Sequence, residues 1–390
     1  MNTHRLIRPS TTLFCALLLA APMMSACAPV EAEADAPEAP TADALSGIWD
    51  TIHGGGSAPI RSITRRSDGQ LIGPISTGHS IEVWISGDGG ATWAPHGSVV
   101  TNGGVDFGDP TMLHIPGTHT IFCAFREFSG GQWRITVTRS DNDGDGWVYD
   151  STVVGPVSPF VGAPFLFQRQ NGDLQIYYDS ELLASQNGKG GHQWIAMQGR
   201  HGTGGAWDAY GVVAASRALE PNALSRDGMA TVVQLGGDRL MIVTEGVEPF
   251  QTGGSFANEI HAIESWDGGR TWDGSLRRTI YRPRVDGGSG RRYNAYVPYA
   301  IRVGGGPVGV AFCTDEDKGG APDFSSDPVD RRQCHVKYIS TTNTFENWSG
   351  SSPIWTGSDR NYTPGLFERA SNDVIVTIDQ LGGIRVMHSR

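Results

Sequence analysis

The sequence predicts an all-β chain arranged as a six-bladed β-propeller, and three observations carry that expectation. Among 390 residues there are 53 glycines and only 18% charged side chains, a composition suited to many tight turns between short strands. The octet SGDGGATW at 86–93 returns as SWDGGRTW at 265–272, both of the form Ser-x-Asp-x-Gly-x-Thr-Trp. Six further turns, each leading into an apolar strand, recur in phase with those octets.

Weaker copies of the octet end at Trp147 (SDNDGDGW), Trp207 (RHGTGGAW) and Trp348 (TTNTFENW), so the tryptophans are spaced by 54, 60, 65 and 76 residues. That spacing fits one four-stranded blade plus its loops. In each octet Ser and Asp are expected to hydrogen-bond the hairpin backbone while Trp packs between the strands of the blade, a structural role. The second series comprises SDGQ, IPGT, QNGD, LGGD, VGGG and SNDV, followed by strands such as LQIYY and RLMIVTE. Gly69, Gly117, Gly172, Gly237 and Gly305 supply the positive φ of a tight hairpin, and Asn372 tolerates it. Six such units predict six blades, a radial array without long exposed edges.

Three segments follow from composition. Residues 1–27 read as an export signal: Arg5 and Arg8 precede the apolar LFCALLLAA, and MMSAC resembles a bacterial lipoprotein box. Cleavage before Cys27 and lipidation of its thiol are expected. Residues 28–44 hold Ala, Pro and five acids without an aromatic, a tether that cannot build a core. Residues 45–390 form the propeller. The expected location is the bacterial cell envelope or the exterior, with the membrane reached only through a lipid anchor at Cys27. A net charge of −11 with no basic run argues against nucleic acid. Export permits a disulfide, and Cys313 with Cys334 is the expected pair, leaving Cys123 as a buried thiol. No Cys or His spacing suggests a metal, no cofactor is implied, and a monomer is expected.

The middle of the chain carries more specific signals. GAPFLFQRQNGDLQIYYDSE, HQWIAMQGR, GGAW and RDGMATVVQLGGDRLMIVTE, in that order, resemble glycoside hydrolase family 93, the exo-arabinanases. DFGDPTMLHIPGTHTIFCAFRE and VGVAFCTDED are similar as well, and the resemblance extends over roughly residues 55 to 390 within the sialidase-like Asp-box propellers. It implies a retaining enzyme that cuts linear α-1,5-L-arabinan from a chain end and releases arabinobiose. It also implies catalytic glutamates at the ends of the YYxSE-like and VxE-like strands, here Glu181 and Glu245. YYDSE, with Asp179, departs from that pattern.

Counting from turn to acid gives a second line of argument. Glu181 lies nine residues after Gly172 and Glu245 eight after Gly237, so both leave corresponding strands of adjacent blades at the same end. Arg126, Asp315 and Asp379 fall at similar distances from their turns. In this reading Glu245 attacks the anomeric carbon, while Glu181 protonates the leaving oxygen and then deprotonates water. Crowding is expected to raise the Glu181 carboxyl relative to Glu245. One of Tyr177 and Tyr178 is expected to face the channel, with Trp133, Trp194, Tyr296 and Tyr362 as further sugar-packing candidates and Arg126, Arg226 and Asp315 as polar ones.

Two alternatives stand beside this reading. A sialidase would use Tyr362 as nucleophile and grip a sugar carboxylate with Arg61, Arg226 and Arg292. A non-catalytic lipoprotein would bind glycan without cutting it, although such a module has no need of two matched glutamates.

Overall fold

The computed structural model describes residues 49–54, 58–59, 61–182, 193–209, 211–214, 226–247, 257–317, 334–357, 361–380 and 383–389. The signal, Cys27 and the acidic tether lie outside them. The described chain forms six four-stranded antiparallel sheets. The first strand, β1 (Trp49–Gly54), belongs to the last sheet. Blade 1 is β2 (Thr64–Arg65), β3 (Leu71–Ser76), β4 (Ser80–Ser86) and β5 (Ala94–Thr101); blade 2 is β6 (Asp106–His114), β7 (Ile121–Ser129), β8 (Gln132–Ser140) and β9 (Val148–Val157). Blade 3 is β10 (Val161–Gln168), β11 (Leu174–Ser180), β12 (Trp194–Arg200) and β13 (Gly211–Ala214). Blade 4 is β14 (Asp227–Gly236), β15 (Arg239–Val247), β16 (Asn258–Ser265) and β17 (Arg278–Tyr281). Blade 5 is β18 (Ala295–Arg302), β19 (Val308–Thr314), β20 (His335–Ser340) and β21 (Ser352–Trp355). Blade 6 is β22 (Asn361–Ala370), β23 (Asp373–Gln380) and β24 (Gly383–Ser389), completed by β1 in register Trp49↔Ser389. The one helical element among the described residues is a single 3₁₀ turn, Gly274–Leu276.

The first-to-second strand hairpins are the six predicted turns. Gly69, Gly117, Gly172, Gly237 and Gly305 all have positive φ, and Asn372 replaces glycine at φ 63°. The octets occupy the third-to-fourth strand connections of blades 1 to 5. Ser86 Oγ donates to Asp88 Oδ1 and accepts from Gly90 N, both at 2.8 Å, while Asp88 takes the Thr92 N–H and hydroxyl at 2.8 and 2.6 Å. Ser265, Asp267, Gly269 and Thr271 repeat that set, and in blade 2 Asn142 stands in for the aspartate. Blade 6 has no octet because its third and fourth strands come from opposite ends of the described chain.

The core is divided into six clusters, one at each interface between neighbouring blades. Both faces of each inner strand are therefore buried, and consecutive side chains point to different neighbours. The octet tryptophans fill these interfaces rather than packing within their own blade. Trp93, Trp147, Trp207, Trp272 and Trp348 each lie against the preceding blade, and Trp49 of β1 supplies the sixth at the junction of blades 5 and 6. Cys123 is a buried thiol, as expected. The expected Cys313–Cys334 bridge is not formed: both are free thiols that donate to the Asn361 carbonyl, at 3.6 and 2.6 Å, and a disulfide would remove both donors.

The octets sit at the hairpin end of the ring, opposite the ends of β11 and β15. Replacing buried Ser265 by Ala leaves the enclosed Gly269 N–H without its acceptor, at a cost of about 1–3 kcal/mol. Denaturant titration is expected to register that loss while turnover stays unchanged. A matching fall in turnover would tie the octets to the site.

Candidate active site

A residue in the left-handed region kinks the innermost strand of blades 2 to 6, and in blade 1 such a residue stands three positions ahead of β2. These residues are Arg61 (φ 68°), Asp109 (52°), Ala163 (44°), Met229 (56°), Val297 (51°) and Thr363 (45°). At each of the last five the pairing register shifts, and Gly108–Asp109–Pro110, Gly162–Ala163–Pro164, Tyr296–Val297–Pro298 and Tyr362–Thr363–Pro364 reveal a repeated tripeptide. Proline fits after a bulge because the broken ladder asks for no N–H there. Opposite the residue before each bulge stand Arg126, Asp179, Glu245, Cys313 and Asp379.

That register corrects the equivalence drawn from turn counts. The counterpart of Glu245 on blade 3 is Asp179, and Glu181 lies two residues farther along, just beyond β11. Hairpin irregularities such as the shift between Gln234 and Gly236 change the count from turn to channel, so equal counts do not mean equal levels.

Asp179 and Glu245 are held alike. Asp179 Oδ1 accepts the bulge N–H of Met229 at 2.9 Å, and Glu245 Oε2 accepts that of Val297 at 2.6 Å. Asp179 also takes Gln193 Nε2 at 3.2 Å. A Cβ built on Gly228 would lie 2.9 Å from Gln193 Nε2, 3.1 Å from Asp179 Oδ2 and 3.4 Å from Glu245 Oε1. One point thus sees both carboxyls closely, in keeping with the roughly 5–5.5 Å spacing of a retaining pair. With Asp179 only 4% exposed, burial first and the Glu245 carboxylate second push its carboxyl well above the usual range, against the Met229 N–H. Burial and the neighbouring Glu245 thus favour the protonated form of Asp179.

Around this pair the ring is asymmetric. In blades 2 and 3 the residue before the bulge is glycine because a functional side chain lies over it: Arg126 over Gly108 and Phe160 over Gly162, each about 2.5 Å from a built Cβ. Blades 5 and 6 carry Tyr296 and Tyr362 at that position, packed into the interface between them. Arg126 binds Asp106 at 2.8 Å and Asp109 at 3.0 Å and lies over the Trp133 ring, which meets Phe160 edge-on. Arg61 reaches from blade 1 to the carbonyls of Met229 and Pro298, at 3.0 and 3.2 Å, and stacks on Tyr299.

The remaining candidates fall elsewhere. Neither Tyr177 nor Tyr178 faces the channel. Both are fully buried, in the interfaces with blades 4 and 2, because a propeller strand has no solvent face to alternate against. Trp194 is buried at the start of β12. Asp315 receives the Asn294 N–H and side-chain amide, a strand-edge role. Glu181, 25% exposed, pairs with Arg226 at 3.4 Å, and Arg226 also donates to Gln193. Arg292 binds Glu259 and the Pro283 carbonyl, so Arg61, Arg226 and Arg292 serve three different partner sets. Asp109, Gln193 and Tyr299 also contact these residues; the repeated tripeptide marks Asp109 in the sequence, while Gln193 and Tyr299 carry no local signal. No group of metal-ligating side chains is found among the described residues.

No protein-family model matches the sequence, and no curated protein matches it either. Solved structures do. An α-L-arabinofuranosidase of Fusarium graminearum, in complex with an iminosugar inhibitor, is 17% identical, with 89% of this chain and 97% of that one covered and a TM-score of 0.61. A Penicillium chrysogenum α-L-arabinanase complexed with arabinobiose is also 17% identical, over 87% and 97%, at 0.61. A Hadza microbial sialidase is 16% identical over 88% and 68%, at 0.59. The six-bladed fold is shared with these proteins.

Two outcomes test the geometry. Gly228→Ala, at a residue with no left-handed φ, fills the space between the carboxyls and is expected to lower kcat/KM about 10- to 100-fold with little change in Tm. Undiminished turnover would remove that space from the chemistry. Because the folded state raises the Asp179 carboxyl, its contribution to stability is full below its ordinary value near 4 and is lost as pH rises toward the folded value. Asp179→Asn should therefore flatten that part of the stability–pH curve in denaturant titrations.

Proposed function

We propose that the protein is a retaining, exo-acting glycoside hydrolase that cuts linear α-1,5-L-arabinan and releases arabinobiose. The observation that carries this reading is the facing pair at Gly228, with Asp179 buried on the Met229 N–H and Glu245 positioned by the Val297 N–H. Glu245 attacks the anomeric carbon, and Asp179 gives its proton to the leaving oxygen. The resulting Asp179 carboxylate then takes a proton from the water that releases the sugar from Glu245. Glu181 and Arg226, at the rim, border the path of the departing chain.

Charge favours a neutral sugar. Asp109 and Glu245 lie within electrostatic reach of Arg61, and Arg126 is already bound by two aspartates. A sialic acid carboxylate would meet more negative than available positive charge. The same proposal has the enzyme exported and tethered at the cell envelope through Cys27.

Product analysis on linear arabinan, with sialyllactose alongside, tests the reading. Arabinobiose as the first product supports it, whereas sialic acid release would replace it. Glu245→Ala is expected to abolish cleavage and regain it with azide, giving a product of inverted configuration. Asp179→Ala should slow poor leaving groups by several orders of magnitude and activated aryl leaving groups little, at tenfold per ~1.4 kcal/mol. If Glu181→Ala shows that dependence instead, Glu181 is the acid. Inactivation by Tyr362→Phe with both carboxyl variants active would favour a sialidase.

A further inference from the structure

We propose that Arg61 and Asp109, the left-handed residues of consecutive blades, form a donor–acceptor pair that grips a hydroxyl of a neutral sugar beside the carboxyl pair. The inference deepens the hydrolase reading and rests on it for the identity of the sugar. Each residue spends part of its side chain on structure and leaves another polar atom without a protein partner among the described residues. Arg61 braces the ring through Nη2, which donates to the Met229 and Pro298 carbonyls on blades 4 and 5. Its Nη1 is enclosed and has no acceptor among the described residues. Such a donor is uncommon in a folded protein unless a ligand or water completes it.

Asp109 is the complement. Its Oδ2 accepts Arg126 Nε at 3.0 Å and the Ala163 N–H at 3.4 Å, while Oδ1 has no hydrogen-bond donor among the described residues. The side chain is 39% exposed, and its backbone is held at φ 52°, a conformation aspartate tolerates better than most residues. Asp109 Oδ2 accepts the Ala163 N–H beside Gly162, which pairs with Asp179, and Arg61 donates to the carbonyl of Met229, whose N–H Asp179 accepts, so both residues flank Asp179. A sugar hydroxyl is donor and acceptor at once: its O–H goes to Asp109 Oδ1, and its oxygen takes Arg61 Nη1. A carboxylate ligand would satisfy Arg61 and be repelled by Asp109, so the pair selects against acidic sugars.

The test is calorimetric titration of arabinobiose into the Glu245→Gln protein, which keeps an acceptor for Val297 N and does not turn the sugar over. Arg61→Met and Asp109→Ala in that background are each expected to weaken binding at least tenfold. The double variant should lose less than the product of the two, because one hydroxyl is shared. Asp109→Asn, which keeps an acceptor, should recover part of the loss, and Tm for every variant separates misfolding from lost recognition. Binding within twofold of the parent in both folded single variants overturns the pair. So does tighter binding of sialyllactose than arabinobiose, lost in Arg61→Met and improved in Asp109→Ala, and so does failure of either sugar to bind. If the two side chains govern binding while the wild type cleaves no glycan, the pair stands and the hydrolase reading falls.

Discussion

The structure depends on a hydrogen bond that crosses from blade to blade at the bulge. A kinked inner strand turns a backbone N–H out of its own ladder, and the second strand of the preceding blade accepts it. Met229 gives its N–H to Asp179, Val297 to Glu245, and Arg61 to the Thr377 hydroxyl. A buried N–H must find a partner, so these acceptors are required by the ring before any chemistry is asked of them. Where the acceptor is a carboxylate, one oxygen is fixed by the fold at a known height in the channel. Blades 3 and 4 put that device side by side, which is how two acids come to face each other across Gly228.

The same arrangement makes the two acids unequal. Both accept one bulge N–H, but aspartate is a methylene shorter and sits deeper against the backbone, with Gln193 as a further donor. Burial works against its charge, and the neighbouring Glu245 carboxylate adds to that effect. One backbone pattern thus places two acids in unequal surroundings without a separate device for each. Arg61, crossing to blades 4 and 5, keeps positive charge within reach of both.

Much of this was legible in the sequence because it is local. A glycine with positive φ in a hairpin, or a Ser–Asp–Gly–Thr–Trp lock, needs only its own few residues, so the six turns and the repeated octets mark the blades directly. The position of Glu245 was legible for the same reason, at the end of a strand opening from such a turn. The level of Asp179 was not, since a bulge on the partner strand and an irregular hairpin alter register without changing composition. The two tyrosines misled for a different reason. Alternation implies one wet face only when a sheet has one, and each propeller blade is covered on both. The thiols at 313 and 334 were close enough to invite a bridge, but the Asn361 carbonyl between them gives both a use as donors.

Closure by β1 gives the ring a property that no single blade has. The sixth sheet takes one strand from residues 49–54 and three from residues 361–389, so its outer edge is joined to the rest by pairing across more than 300 residues of sequence. Without β24, β1 has no strand to pair with and Trp49 has no place between blades 5 and 6. A chain interrupted before residue 383 would keep the acids at 179 and 245 yet leave the ring ajar. The sixth blade is thus a clasp: its two outer strands, far apart in sequence, hold the ring shut while its inner strand β22 lines the channel.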